Sequence, residues 1–169
     1  MNAAELRAVQ APFKERYRND PASAYQTLTA TGQLGVSTQS CRLEIARHEI
    51  VTGLHPSTGG DGLAACSAEI MLQSLVSCAG VTLTAVATAM DLPVTGGTIT
   101  AEGDLDFRGT LGVSREVPIG FTTIRMKFDL QTTATPEQLA TLIKLTERYC
   151  VVFQTLKNSP AITTELTTS

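Results

Sequence analysis

The sequence lacks several features that would assign it to a common functional class. Its net charge of −3 and isoelectric point near 5.4 provide no positive field for a nucleic acid or an anionic membrane. It has no Cys-x-x-Cys pair, and neither His48 nor His55 has ligand spacing with a cysteine, so no zinc site is expected. Gly-Lys-Ser/Thr and Gly-x-Ser-x-Gly motifs are also missing, which leaves phosphate-loop and serine hydrolase chemistry without support.

Signals for secretion and for membrane insertion are missing as well. The amino terminus does not have the basic-then-apolar layout of a secretion signal. The apolar stretch from Ser67 to Met90 approaches the length of a membrane span, but Glu69 and Gln73 interrupt it and no Lys or Arg flanks it. We therefore predict a cytoplasmic protein that is not inserted in a membrane. In that compartment its four cysteines are expected to be buried or catalytic rather than a structural disulfide framework.

The residue pattern in the first third of the chain predicts one helical segment followed by strands. Residues 3–18 carry apolar side chains at helical spacing, and Pro12 predicts either two short helices or one kinked helix. Segments 25–29 and 41–46 are strand-like, with alternating polar and apolar residues in the second. The composition of residues 48–62, rich in Gly, Ser, Thr and Pro, predicts a loop.

The residue pattern after the loop predicts a long central helix, two strands, a second helix and a last strand. Ser67 can cap the central helix, which reaches about Met90, and its apolar residues surround the axis, so it should be covered on most sides. Thr135, Pro136 and Gln138 form a strong start for the second helix, which ends at Tyr149. The three predicted strands are residues 98–107, 121–130 and 161–166. This order indicates an α+β fold, with sheets covered by segregated helices in one domain of 169 residues.

Cys78 and Cys150 are the main candidate functional residues. Cys78 lies in the middle of the central helix, where the helix dipole cannot lower its pKa, and Cys150 ends the second helix. If the fold brings the two sulfur atoms together, a dithiol redox site results; otherwise both are core packing. Cys41 and Cys66 are interpreted as core or loop thiols, and Arg125 as a solvated charge.

Glu69 is the third candidate residue. It precedes Cys78 by nine positions, which is about 13.5 Å along a straight helix and on the opposite face. The two residues therefore cannot form one site within a single straight helix. Glu69 is either an acid of the first helical turn or part of a site that a second chain completes.

Two segments carry a resemblance to a known family. The run from Glu69 to Thr82, with Cys78 near its end, and the run that begins at Cys150 are similar to the two cysteine motifs of the osmotically inducible protein C (OsmC) and organic hydroperoxide resistance (Ohr) family. The resemblance covers roughly residues 24–167. It divides the chain into an N-terminal helical extension, residues 1–23, and an OsmC-like domain, residues 24–169.

The resemblance implies a fold, an assembly and a reaction. The fold is an antiparallel sheet wrapped around a long central helix plus a second helix, in an intertwined homodimer. The reaction is the reduction of small organic hydroperoxides in stress defence, with Cys78 oxidised to a sulfenic acid and Cys150 resolving it as a disulfide. A dithiol reductant, lipoyl-linked in one branch, restores the thiols, and no cofactor is implied.

The chain differs from the pattern of the peroxidases at three places. Ala68 occupies the position of a functional glutamate, and Glu69 matches a neighbouring acidic position. The stretch 29–40 has no arginine to hold the thiolate, so Arg42 is the nearest candidate, and Val151 stands where proline often follows the second cysteine. These differences motivate an alternative, a non-catalytic small-molecule-binding stress protein on the same fold with buried, unreactive cysteines.

Overall fold

The computed structural model describes residues 1–45 and 48–168. Its helices are α1 (Ala3–Asn19), α2 (Ser67–Ala89), α3 (Phe107–Thr110), α4 (Pro136–Tyr149) and α5 (Val151–Lys157). Its strands are β1 (Gly32–Gly35), β2 (Ser40–Ile45), β3 (His48–Thr52), β4 (Val94–Asp104) and β5 (Thr123–Thr132). Strands β1, β2 and β3 form one antiparallel sheet, and β4 and β5 form a second. The predicted α+β class is confirmed.

The core lies where α2 packs against β4, α4 and α5. Side chains four residues apart on α2 form its buried face, because an α-helix places such residues on one side. From β5 the alternate apolar residues face this core, as the predicted alternation requires. The buried residues of α2 are Leu75, Ala79, Leu83 and Ala87.

Helix α2 has the length and hydropathy of a membrane span, which a core helix of a soluble protein also has. Its contacts with β4, α4 and α5 identify it as the central helix of this fold. The predicted cover on most of its sides is not found within one chain, since Val81 remains 70% exposed. The helix begins at Ser67, so its N-cap is Cys66 and not Ser67 as predicted.

The α2–β4 junction depends on a glycine at the start of the second sheet. Gly97 has φ +149°, and a Cβ there would collide with the backbone oxygen of Asp129 on β5. A register shift between Val94 and Gly96 marks a bulge at the same place. Gly97 therefore allows the two strands to approach directly after the turn that follows α2.

Several predictions about where strands lie are wrong. Segments 25–29 and 161–166 are not strands, because neither pairs with a sheet edge, and a strand-like composition does not fold without a partner. Residues 48–52 are not a loop but strand β3, which pairs with β2 across Leu43–Ile50 and its neighbours. The predicted strand 41–46 is confirmed up to Ile45, and Ala46 lies outside the described residues.

Helix α1 confirms the predicted helical segment at residues 3–18. It is one helix that continues through Pro12, so of the two alternatives the pair of short helices is wrong. Its surface position explains this, because the carbonyl group that loses a hydrogen-bond partner to proline can bind water. Asn2 and Glu5 form a capping box at its start, with Asn2 Oδ1 accepting from the Glu5 N–H at 2.9 Å.

Candidate functional site

Cys150 occupies a sharp break between α4 and α5. The capping box of Thr135 and Gln138 sets the start of α4, and its apolar stripe then ends at Cys150, whose N–H donates to the Thr146 carbonyl at 2.9 Å. Cys150 itself has extended backbone angles (φ −74°, ψ 109°) and serves as the N-cap of α5. Its sulfur accepts the N–H of Phe153 at 3.5 Å. The break holds the Cys150 side chain in the core, with no solvent exposure.

Cys78 packs against the same buried cluster from α2. Leu75, Ala79 and Cys150 form the centre of this cluster, and Cys78 lies at its margin, half-buried. The fold therefore brings together the two cysteines that the sequence singled out, from positions 72 residues apart (150 − 78). Both are free thiols.

The surroundings of Cys78 favour its ionised form. Burial raises the pKa of the Cys78 thiol, but hydrogen bonds outweigh that effect and the net pKa is lowered. The donors are the N–H groups of Val152 and Val151, the Cys150 thiol and the Thr82 hydroxyl. Thr82 lies one turn after Cys78 on the same face of α2. Groups outside α2 thus contribute to lowering the pKa of Cys78, which the dipole of α2 cannot do at the middle of the helix.

The pKa of Cys150 is shifted in the opposite direction. Burial raises the pKa of the Cys150 thiol, the N–H of Phe153 partly offsets this, and the hydrogen bond and negative charge of Cys78 raise the pKa further. Two adjacent sulfur atoms cannot both carry a charge cheaply in a buried setting, so one proton stays on Cys150. The pair is chemically asymmetric: the pKa of Cys78 is lowered and the pKa of Cys150 is raised.

An apolar cavity of about 460 Å³ reaches Cys150 from the side of β5. Its walls come from α2, β5, α4 and α5, and Cys78 is not part of its lining. Glu147 and Lys157 supply charged groups, and three threonines supply hydroxyl groups, to a mainly apolar lining. The volume suits a small organic molecule. The apolar walls include Leu75, Ile124, Met126, Phe128, Ile143 and Phe153.

Glu69 is remote from the sulfur pair along α2. It is exposed at the first turn, where its Oε2 accepts the N–H of Cys66 at 3.2 Å. This contact caps the helix and places a negative charge near its amino-terminal end, where such a charge is favourable. The Glu69 carboxylate therefore caps the first turn of α2. A catalytic role for Glu69 stays a prediction.

The other candidates lie away from the pair. Arg42 faces Glu49 on the neighbouring strand, with Nε and Oε1 3.6 Å apart. Arg125 is held by the carboxylate of Asp104, with Nη2 and Oδ1 2.8 Å apart, on the exposed face of β5. His55 stacks on Phe107, with ring centroids 4.7 Å apart. Residues 1–45 and 48–168 contain no group of three or more side chains suited to a metal ion.

Comparison with protein families identifies the chain. The sequence profile of the OsmC-like protein family matches residues 59–165, a range that contains both Cys78 and Cys150. The chain belongs to the OsmC-like protein family. The family named from the two cysteine motifs is therefore confirmed. No curated protein sequence matches the chain significantly.

Solved structures confirm the OsmC-like fold. An OsmC-like protein from Mycoplasma pneumoniae has a TM-score of 0.66 at 13% identity, over 79% of this chain and 89% of that one. An organic hydroperoxide resistance protein OsmC from Legionella pneumophila has a TM-score of 0.59 at 13% identity, over 79% and 93%. An organic hydroperoxide resistance protein from Elizabethkingia anophelis has a TM-score of 0.60 at 14% identity, over 80% and 91%. At these identities the likeness shows the fold alone.

Sequence reasoning missed the groups that surround the Cys78 sulfur in this OsmC-like protein. It looked for a cation, whereas the donors are two backbone N–H groups and a hydroxyl. The Thr82 hydroxyl had a detectable signal, since Thr82 follows Cys78 by four residues within a predicted helix. The N–H groups of Val151 and Val152 had none, because main-chain donors are independent of residue type.

Proposed function

We propose that this OsmC-like protein is a thiol peroxidase that reduces organic hydroperoxides in stress defence. One observation carries the proposal: Cys78, whose pKa is lowered, lies against Cys150, whose pKa is raised. A thiolate beside a protonated thiol is the arrangement that attack followed by disulfide formation requires. Membership of the OsmC family, with structural neighbours described as organic hydroperoxide resistance proteins, supports a role of this type.

In the first step the Cys78 thiolate attacks the terminal oxygen of the hydroperoxide. A sulfur–oxygen bond forms and the oxygen–oxygen bond breaks, so that the organic part leaves as an alkoxide and takes up a proton to become the alcohol. Cys78 is oxidised to the sulfenic acid and the peroxide is reduced.

In the second step Cys150 attacks the sulfenic sulfur. Its proton and the sulfenic hydroxyl leave as water, and a Cys78–Cys150 disulfide forms. A dithiol reductant then breaks this disulfide by exchange, becoming a disulfide itself and returning both thiols. We propose a small or lipoyl-linked dithiol and a reducing compartment, the cytoplasm, for this step.

The cavity beside Cys150 favours an alkyl or aryl hydroperoxide over hydrogen peroxide. Its walls are mainly apolar, so transfer of a hydrocarbon group from water into it is favourable by about 25 cal/mol for each Å² buried. Hydrogen peroxide has no apolar surface to gain from this. The proposal therefore predicts a lower KM for cumene hydroperoxide than for hydrogen peroxide.

We further propose that the protein is a homodimer in which chains cover each other's apolar surfaces. Val81 on the central helix is 70% exposed in a single chain, and Leu34 and Val36 beside the first sheet are about as exposed, at 80% and 81%. Apolar side chains exposed on both the central helix and the first sheet are groups that a second chain would cover. Light scattering at micromolar concentration should give the mass of two chains, and the mass of one chain would contradict the proposal.

The peroxidase proposal is tested by turnover. Purified reduced protein, supplied with dihydrolipoamide, should consume cumene hydroperoxide through many cycles. Cys78→Ser should abolish turnover, whereas Cys66→Ser, a matched change at a thiol outside the pair, should leave it unchanged. The measurement is the loss of hydroperoxide over time at fixed dithiol concentration.

Two results would contradict the proposal. One is a wild-type protein without turnover whose Cys78 and Cys150 also resist a gentle alkylating reagent. The other is a Cys78→Ser variant as active as the wild type. Stabilisation of the folded protein by apolar compounds, unchanged when both cysteines are replaced by serine, would then favour the non-catalytic binding alternative.

A further inference from the structure

A second, mainly apolar cavity of about 430 Å³ lies at the amino-terminal end of α2. Its walls come from the first turns of α2, from α3 and from the loops that precede α2 and β5. His55 and Phe107, whose rings stack with centroids 4.7 Å apart, both line it. We call it the second cavity, and the cavity of about 460 Å³ that reaches Cys150 the first cavity.

Helix α2 supplies one wall of both cavities. Met71 lines the second cavity, and Leu75 and Ala79 line the first. Because residues four apart on a helix lie one above the other on the same face, the two cavities follow each other along one face of α2. The eight positions from Met71 to Ala79 correspond to about 12 Å of helix.

Phe121 lies where the two cavities meet. In the described part of the chain it is the one residue that lines both of them. Its neighbours in sequence are divided between the cavities, since Gly120 lines the second and Thr122 the first. The chain therefore passes from one cavity to the other at Phe121.

The packing around Phe121 fixes its position. The N–H of Thr122 donates to the Asp104 carbonyl at 2.9 Å, and Thr122 Oγ1 donates to the same oxygen at 3.2 Å. On β4, a Cβ at Gly103 would lie 2.6 Å from Phe121 Cδ1, so the ring occupies space that only a glycine leaves free. The hydrogen bonds hold the backbone next to Phe121, and Gly103 gives its ring a place to pack.

We propose that Phe121 is a specificity-determining residue, whose ring closes the first cavity toward the second and limits the length of the organic group held beside Cys150. The inference rests on the proposed peroxidase function, in which the organic group of the hydroperoxide occupies the first cavity. A compact group such as cumyl fits in the first cavity alone. A long alkyl chain that follows α2 meets the Phe121 ring, so the protein discriminates against it.

Two methionines make the proposal testable without any turnover. Met126 lines the first cavity and Met71 the second, and the chain contains four methionines. The methionine methyl groups are labelled with ¹³C, and their signals are assigned with Met71→Leu and Met126→Leu. The reduced full chain is then titrated with a compact alcohol, cumyl alcohol, and with an extended one, 1-decanol. In the wild type, cumyl alcohol should shift the Met126 signal alone, and 1-decanol should not shift Met71 along the same binding curve as Met126.

Truncation of Phe121 should join the two cavities. In Phe121→Ala, 1-decanol should shift the Met71 and Met126 signals along one binding curve. Its Kd should fall about tenfold, because the transfer of two further methylene groups from water corresponds to roughly that factor. The Kd of cumyl alcohol should change less than about threefold, since its group already fits.

Phe107→Ala is the matched control. It removes the same side chain from a residue that lines the second cavity and not the first, so it enlarges the second cavity without opening a passage. The Kd of 1-decanol for the first cavity, followed at Met126, should stay within about twofold of the wild-type value. Circular dichroism of both variants checks that they are folded.

Two results would overturn the proposal. A wild-type protein in which 1-decanol shifts Met71 and Met126 along one curve would show that the cavities are already joined, and this measurement does not depend on how any variant folds. A folded Phe121→Ala variant that binds 1-decanol no more tightly than the wild type would show that the ring does not limit chain length.

Binding and turnover separate this inference from the peroxidase proposal. If the methyl shifts follow the expectation and hydroperoxide is not consumed, the size limit stands and the peroxidase function fails. If hydroperoxide is consumed and the KM for decyl hydroperoxide is the same in the wild type and Phe121→Ala, the function stands and the size limit fails.

Discussion

The two parts of this chain treat their apolar residues differently. Among the residues that the structure describes, the six buried hydrophobic residues and both thiols of the candidate site lie within 67–157. Among the residues described before position 67, Thr52 alone is buried, and Leu28, Leu34 and Val36 are largely exposed. The carboxy-terminal part therefore forms a core within one chain, although Val81 on its central helix stays exposed, whereas the described residues of the amino-terminal part bury no hydrophobic side chain. The sulfur atoms of the candidate site lie in the part that contains the core.

Matched leucine truncations test this difference most strongly. Leu142 is fully buried against α2, so Leu142→Ala should lower the free energy of unfolding by about 3 kcal/mol through lost burial and a cavity. Leu34→Ala, at an 80% exposed position of β1, should cost less than about 0.5 kcal/mol within one chain. The measurement is the urea midpoint at two protein concentrations.

Concentration separates packing within a chain from packing between chains. If a second chain covers Leu34, the loss caused by Leu34→Ala should be larger at high protein concentration and should shrink toward the single-chain value on dilution, whereas the loss caused by Leu142→Ala should not depend on concentration in this way. Equal losses for both variants at every concentration would show that the two parts of the chain do not differ as described.

The first turn of α2 marks the boundary between the two parts and offers a smaller effect. Glu69→Ala removes both the acceptor of the Cys66 N–H and a favourable charge, and should cost about 1 kcal/mol of unfolding free energy. Glu69→Gln keeps an acceptor and should cost a few tenths of that. Thermal unfolding of the two variants measures the difference.

Hydroperoxide turnover decides the role of Glu69. A residue that only caps α2 should leave turnover within about twofold in Glu69→Gln, whereas a tenfold loss in that stable variant would assign the carboxylate to a reacting centre. The second result would favour a site completed by another chain, because Glu69 and Cys78 lie on opposite faces of one helix.

The smallest expected effect concerns the Thr82 hydroxyl beside Cys78. Because this hydroxyl lowers the pKa of Cys78, Thr82→Val should raise that pKa and reduce the thiolate fraction at pH 7 by roughly threefold. The pH profile of alkylation should shift toward higher pH, with the rate recovered in alkaline buffer. Thr84→Val is the control, because Thr84 Oγ1 donates to the Val81 carbonyl at 2.9 Å and not to a sulfur. A profile unmoved in Thr82→Val would contradict the assignment of this donor.

Local signals in the sequence were sufficient for three elements of the carboxy-terminal part of the fold, but not for the short helices α3 and α5. The capping pattern at Thr135, the alternation in β5 and the long apolar stretch of α2 each act within a few residues, and the structure contains all three elements. The predicted strand 25–29 failed because a strand also needs an edge to pair with, which local composition cannot supply. Strand β3 was missed since its pairing with β2 outweighs its weak local pattern.

The candidate site was predictable only in part, because local sequence signals identify the two cysteines but not the groups around them. Cys78 and Cys150 were recognisable from their positions in two motifs, and their convergence depends on the packing of α5 against α2. The donors to Cys78 were not recognisable, because main-chain N–H groups leave no trace in residue types. The break at Cys150 places the first turn of α5 beside this cysteine, where the Phe153 N–H donates to the Cys150 sulfur.

The most direct test of the central claim, that Cys78 and Cys150 form one redox pair, is peptide mass mapping after oxidation. Reduced protein is treated with one equivalent of cumene hydroperoxide and digested without reductant. We expect a single cross-linked peptide pair containing Cys78 and Cys150, with Cys41 and Cys66 still free. Recovery of Cys78 and Cys150 in separate peptides, with Cys78 unmodified or over-oxidised, would contradict the account.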